Sequence, residues 1–162
     1  MVRTARRQLR AYVLVSGTAV TNVAEGDGIP EAQVVIKNFG ETPAYNFVNV
    51  TGFAGNVYPP PSSITLTVPE SEFSKPIARS VLGPTQQEMS TTDWQEKKRP
   101  LTRDEKIALA EGRAIIYVYG EIRYVDAFGR SRRTRYRYMM GGPVGVRPGG
   151  RMAACDEGNT AT

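Results

Sequence analysis

The segment AIIYVYGEIRYV (114–125), followed by DAFG (126–129) and RTRYRYMM (133–140), decides the fold of this chain. The first and third pieces have the alternation and the β-branched and aromatic residues that are typical of strands, and DAFG has the composition of a tight turn. The sequence therefore predicts a long antiparallel hairpin late in the chain.

Shorter strand patterns precede this hairpin. They are predicted at 9–15, 32–37, 45–53 and 64–68, with weaker patterns at 76–82 and 88–94. We expect 38–44 to join two of them as a hairpin connection, and the prolines at 59–61 to end that unit, because proline cannot donate to a ladder. Many short strands with turns rich in Pro and Gly favour an all-β fold, an immunoglobulin-like antiparallel β-sandwich, over a small antiparallel barrel.

One short helix is predicted at 101–112, between late strands. Thr102 can cap its start and Glu105 falls at the third helical position, where it completes a capping box. Gly112 suits the left-handed conformation that ends many helices. These signals predict a helix of two to three turns.

Composition divides the chain into three parts. We expect a basic N-terminal arm at 1–10, a β-sandwich domain at 11–140 and a flexible Gly/Pro-rich tail at 141–162. The arm has four arginines and no acid, which is typical of a frayed charged terminus, of the flank of a membrane anchor or of a nucleic-acid arm. No apolar run could span a bilayer and no signal-peptide core follows the arm, so the expected location is membrane-proximal or cytoplasmic.

The composition also argues against catalysis. The 162 residues include no histidine and a single cysteine, Cys155, which removes the usual base of hydrolytic triads and the commonest zinc ligand. The candidate acids are Glu70, Glu72, Asp93, Glu121 and Asp126. Their spacing predicts no paired carboxylates in one cleft, and no glycine-rich phosphate loop occurs. We therefore expect no enzyme activity, no cofactor and no metal.

The net charge of +5 is concentrated in the arm and in the late hairpin. Because side chains alternate in a strand, one face of RTRYRY (133–138) is basic and the other carries the tyrosines. The basic side chains are Arg133, Arg135 and Arg137, with Arg123 expected across from them. This set could hold a lipid headgroup or a nucleic-acid backbone, with tyrosines near for stacking. A solvated strand face, balanced in part by Glu121 and Asp126, explains the same pattern.

Three motifs resemble a set of uncharacterised bacterial proteins. They are QLRAY (8–12), KNFGETPAY (37–45) and YVDAFG (124–129), and the similarity runs from about Arg6 to Tyr138. In that set, one or two N-terminal transmembrane helices precede a soluble β-rich domain. The resemblance implies the soluble portion of a membrane-associated protein, or a variant without an anchor, and it supplies no substrate.

Two functions are consistent with these patterns. The first is a non-enzymatic binding module that contacts a protein partner through a face, an edge or a loop end, because sandwich edges accept an added strand. The alternative is an anion-binding module that uses the arginine face at an anionic membrane surface, with nucleic acid as the less favoured ligand. Salt-sensitive binding would separate the two functions.

Overall fold

A computed structural model describes residue 4 and residues 9–61 and 64–162. The predicted basic arm falls largely on residues 1–3 and 5–8, outside the described residues. In chain order the elements are β1 (Val13–Thr21), β2 (Glu31–Asn38), β3 (Ala44–Val57), α1 (Glu70–Ser74), β4 (Ser80–Leu82), β5 (Gln87–Asp93), α2 (Arg103–Ala110), β6 (Ala114–Val125), β7 (Ser131–Gly141), short 3-10 turns at Gly142–Val144 and Pro148–Gly150, β8 (Ala153–Ala154) and β9 (Thr160–Ala161).

The strands form two antiparallel sheets, so the predicted all-β class is confirmed. The smaller sheet has the order β1-β2-β5, and the larger has the order β4-β3-β6-β7-β8, with β9 also paired to β7. Neither α1 nor α2, nor any other helix in the described part of the chain, is long and apolar enough to cross a membrane.

One hydrophobic core joins the two sheets. In β2, the alternate residues Ala32, Val34 and Ile36 are buried, whereas the residues between them are partly exposed. Val118 and Ile122 of β6 are fully buried in the same cluster. Each buried valine or isoleucine side chain contributes about 1.5–3 kcal/mol when it leaves water, so apolar burial holds the sheets together.

The late hairpin has the predicted form, with β6 and β7 paired along nearly their whole length. Asp126 sets the turn, because its Oδ1 accepts hydrogen bonds from the amides of Phe128 and Arg130 at 3.0 Å each. Its carbonyl accepts from the amide of Gly129, which has φ +75°. A left-handed residue at this position favours glycine.

The helix prediction is also confirmed, since α2 lies within 101–112. Thr102 Oγ1 accepts from the Glu105 amide at 3.2 Å, and the Glu105 carboxylate accepts from the Thr102 amide at 2.8 Å. This reciprocal pair is the predicted capping box. Gly112 follows the helix with φ +74°.

The hairpin predicted around 38–44 is wrong. β2 pairs with β1 and β5, whereas β3 pairs with β4 and β6, so this loop crosses from one sheet to the other. Buried Asn38 stabilises the crossing: its Nδ2 donates to the carbonyls of Thr42 and Leu82 at 2.8 and 3.1 Å, and its Oδ1 accepts from the Tyr12 amide at 3.2 Å. Bonds to distant segments thus outweigh the local hairpin signal.

One further strand prediction is wrong, and another is displaced along the chain. Residues 64–68 alternate like a strand but adopt no regular secondary structure. Instead, the Leu66 carbonyl accepts a bond from Arg137 of β7 at 3.4 Å, so the segment contacts a side chain of the sheet rather than a ladder. The first strand begins at Val13 rather than Leu9, which is half exposed. Alternation predicts the two faces of a segment but not its pairing partner.

The segment predicted to be a flexible tail, 141–162, belongs to the larger sheet. β8 and β9 both pair with β7, and Met152 is buried in the core. The Asn159 side chain also accepts a hydrogen bond from the Arg137 amide at 2.9 Å. Backbone hydrogen bonds between strands form without apolar side chains. The polar, Gly-rich composition of 141–162 therefore did not indicate that this segment pairs with β7.

Candidate functional site

The arginine face of β7 lies on the outer side of the larger sheet. Thr134 and Tyr136, on the opposite face, are buried. In the β6–β7 register, Arg123 lies directly across from Arg133, and Glu121 lies across from Arg135. Strand alternation thus places the predicted residues on one face, and the hairpin register brings them together.

Glu121 occupies the centre of this face and is only 3% exposed. Its carboxylate lies 2.6 Å from Arg123 Nε, 2.8 Å from Arg135 Nε and 3.2 Å from Arg133 Nε. Burial opposes ionisation of Glu121, but the bonds from Arg135 and Arg123 outweigh it and lower its pKa. One buried carboxylate therefore offsets part of the charge of three arginines.

Arg123 has a second carboxylate partner on α1. Its two terminal nitrogens donate to the two oxygens of Glu70, at 2.6 Å each, and its guanidinium lies 3.7 Å from the centre of the Phe73 ring. The bond from Arg123 lowers the pKa of Glu70. Because this pairing uses both nitrogens in a fork and adds a cation–π contact, it fixes the guanidinium orientation.

Arg137 has a different environment from the other three arginines. Its Nη2 bonds the Leu66 carbonyl, and a Cβ on Gly158 would lie 2.7 Å from its Nε, so covering segments lie against it. Tyr136 offers no stacking surface, because its hydroxyl bonds Asn49 and Thr51 in the interior, and burial raises its pKa to about 12. Three of the four predicted arginines therefore share the Glu121 carboxylate and Arg137 does not, so the four do not form one open basic patch.

A second candidate surface is the outer edge of β5. Just beyond the two ends of the β2–β5 ladder, the Asn38 amide donates to the Gln86 carbonyl and the Trp94 amide donates to the Pro30 carbonyl. Hydrogen-bonded pairs alternate along antiparallel strands, so residues 88, 90 and 92 bond β2. The backbone groups that point away from β2 belong to Gln87, Met89, Thr91 and Asp93.

This β5 edge is open in the described part of the chain. No backbone hydrogen bond reaches these four residues from a third strand. The strand is exposed along most of its length, and Met89 is 60% exposed. β5 contains neither lysine nor proline, the residues that commonly protect a sheet edge from pairing.

The described residues hold no group of three or more Cys, Asp or Glu side chains that could bind a metal ion. Among the candidate acids, the structure brings Glu70 and Glu121 together on Arg123, which their spacing did not predict. Both, like Asp126, have a lowered pKa, whereas a general acid that works near neutral pH needs a raised one. Cys155 is half-buried, and burial raises the pKa of its thiol.

The sequence predicted Arg123 and the β7 arginines on one face, with Glu121 as an acid that balances part of their charge. It did not predict the pairing of Glu70 with Arg123, because no local pattern relates α1 to the hairpin. It also did not predict the open edge of β5, because the edge position of a strand depends on the complete sheet order.

Three comparisons with known proteins bear on this site. No family model matches the chain, and neither a curated protein nor a solved structure matches it. The function of the two surfaces is therefore inferred from their own geometry and chemistry.

Proposed function

We propose that this protein is a non-enzymatic, immunoglobulin-like sandwich module that binds a protein partner by strand addition at β5. The observation that supports the proposal is the open edge of β5, where four successive outward-pointing residues offer backbone donors and acceptors. The two facing sheets and a helix between late strands are consistent with such a sandwich. Membrane association stays a prediction from the resemblance alone.

Charge complementarity indicates the chemistry of the partner. Asp93 lies directly across from Glu31 in the β2–β5 register, and Glu88 lies on the same strand. Asp93 and Glu31 make no ion pair among the described residues. Like charges across a strand pair repel each other, so an extended segment that carries a lysine or arginine beside this end would relieve the repulsion.

The test begins with peptides selected from a random phage-displayed library against the domain. Recovered peptides should carry basic residues and, when titrated, should shift the amide resonances of Gln87, Met89, Thr91 and Asp93. Thr91→Pro removes an outward amide and should weaken binding about tenfold, because one backbone bond contributes about 1 kcal/mol and the ring obstructs the edge.

Thr91→Ala is the matched control, since it keeps the amide and should bind like the wild type. Asp93→Asn should weaken the binding of basic peptides alone. Binding that survives Thr91→Pro, shifts that map to another surface, or a selection that yields no peptide would each contradict the proposal.

A further inference from the structure

A cleft of about 500 Å³ opens at the turn end of the late hairpin. The side chains of Arg79, Arg123, Arg132 and Arg133 are its basic lining. Further polar lining comes from Asn46, Ser131 and Thr162, and Thr162 is hydrogen-bonded to the backbone of Arg133. No Asp or Glu side chain lines it. Arginines from the β6 and β7 strands and from the segment before β4 thus converge on one space with no acidic side chain in it.

Three acids pair with two of these arginines, and none of the three lines the cleft. Asp126 is fully buried and bonds the Nε and Nη2 of Arg132 at 2.8 Å each. Glu121, also buried, accepts from Nε of Arg123 at 2.6 Å, and the exposed Glu70 accepts from its two terminal nitrogens at 2.6 Å each. These acids fix the orientation of the two guanidinium groups without entering the cleft, as supporting residues do in a preorganised anion site.

The other two arginines have unused donors. Arg133 contacts Glu121 through Nε, at 3.2 Å, and its terminal nitrogens donate to no described acceptor. Arg79 is exposed and makes no ion pair or hydrogen bond with any described residue. The residues outside the description contain no Asp or Glu, so no acidic side chain there can neutralise Arg79.

We infer that this cleft binds a phosphate group carried on a small organic moiety, with Arg79 and Arg133 as the direct ligands. A phosphate monoester has close to two negative charges and three terminal oxygens, which match guanidinium forks contributed by separate parts of the chain. The cleft is also larger than a phosphate ion, and its volume falls in the usual range of small-ligand sites.

This inference differs from the predicted arginine face. Of the four arginines expected there, Arg123 and Arg133 line the cleft, whereas Arg135 and Arg137 do not. Arg79, which no sequence pattern singled out, replaces them. The inference does not depend on strand addition, because the β5 edge contributes no residue to this cleft.

Two sources share the phosphate chemistry, a soluble phosphate ester and a lipid headgroup. We would therefore titrate the full chain with inorganic phosphate and with glycerol 3-phosphate, following amide shifts and heat of binding. In parallel we would measure sedimentation with phosphatidylcholine vesicles that do or do not contain phosphatidic acid. Competition by glycerol 3-phosphate for the vesicle-bound protein shows whether both use the same site.

Arg79→Gln is the decisive variant, because this side chain has no described partner and its loss should leave folding unchanged. Arg103→Gln is the matched control, since it removes the same charge from another exposed arginine without a described partner. We expect Arg79→Gln and Arg133→Gln each to weaken binding about tenfold or more, and Arg103→Gln to change it less than about twofold.

The titrations and the vesicle experiment distinguish a soluble phosphate ester from a lipid headgroup. Arg79-dependent binding of glycerol 3-phosphate supports a soluble ligand, and Arg79-dependent binding confined to phosphatidic acid vesicles supports a headgroup. Equal effects of Arg79→Gln and Arg103→Gln would show that binding depends on the overall charge of the protein rather than on this cleft, and would overturn the inference. So would the absence of binding in every arm.

Discussion

β1 and β5 are the two outer strands of the same three-stranded sheet, but their outer edges differ. The backbone of β1 is closed by groups from later in the chain. Tyr124 donates its hydroxyl to the Ala11 carbonyl at 3.2 Å and accepts from the Val13 amide, and Thr134 donates to the Val13 carbonyl at 2.8 Å. No equivalent closure reaches the outward groups of β5 in the described chain.

The C-terminal segment covers a second stretch of β1, at Thr18 and Ala19. Arg151 forms a bridge with Ala19, and the Met152 amide donates to the Thr18 carbonyl at 3.3 Å. Two strands of one sheet thus differ in how much of their outer backbone is already bonded. The difference comes from the surrounding chain, which contacts β1 at two places and leaves the outward backbone groups of β5 unbonded in the described residues.

The largest effect is expected from proline within β5. Ser90→Pro removes an amide that bonds β2 and should lower the free energy of unfolding by about 3 kcal/mol, because it also leaves a β2 carbonyl unpaired. Thr91→Pro removes only an outward amide and should cost less than about 1 kcal/mol. Urea unfolding of both variants, with Ser90→Ala as the control, measures the difference. Equal costs would mean that β5 has no open edge.

A smaller effect is expected on the closed side, at Gly150. A Cβ added there would lie 2.0 Å from the Val20 carbonyl oxygen, and the residue has φ +66°. Gly149 has φ +70° but no atom within 4 Å of such a Cβ. Gly150→Ala should therefore cost about 2 kcal/mol more than Gly149→Ala. Thermal unfolding of the two variants tests this. Similar midpoint temperatures would show that the segment around Gly150 can move away from Val20 without destabilising β1.

The smallest of the three effects is expected from Tyr124→Phe. This change removes one hydroxyl from the closed edge and should lower the free energy of unfolding by about 1 kcal/mol. It should also speed hydrogen exchange at the Val13 amide. Tyr45→Phe, at an exposed position, should leave stability unchanged. A Val13 amide that exchanges at the wild-type rate would show that Tyr124 does not close the edge.

The sequence predicted the features that depend on nearby residues. The alternation of 114–125 with 133–140 and the turn at Asp126 determine the late hairpin, and Thr102 with Glu105 determine the start of α2. Each involves contacts across a short turn or within one helical turn. Such signals are contained in the local sequence, so they could be found without knowledge of the rest of the chain.

The failed predictions concern partners that are distant in sequence. Asn38 bonds Tyr12 and Leu82, so the loop that it begins crosses between sheets although it resembles a hairpin connection. Arg79 reaches the hairpin cleft from before β4, and no spacing pattern relates it to Arg133. Of the candidate site, the sequence could predict the arginine alternation and Glu121 as an acid beside it, but not the pairing of Glu70 with Arg123.

The closure of β1 also has a consequence for biosynthesis. Tyr124, Thr134 and Met152 all leave the ribosome more than a hundred residues after β1, because translation proceeds from the N-terminus. A nascent chain that ends between Trp94 and Arg123 contains none of these groups, although it already contains β2 and β5. During synthesis, therefore, the small sheet can pair its strands while both of its margins are still open, and only the last part of translation distinguishes one margin from the other.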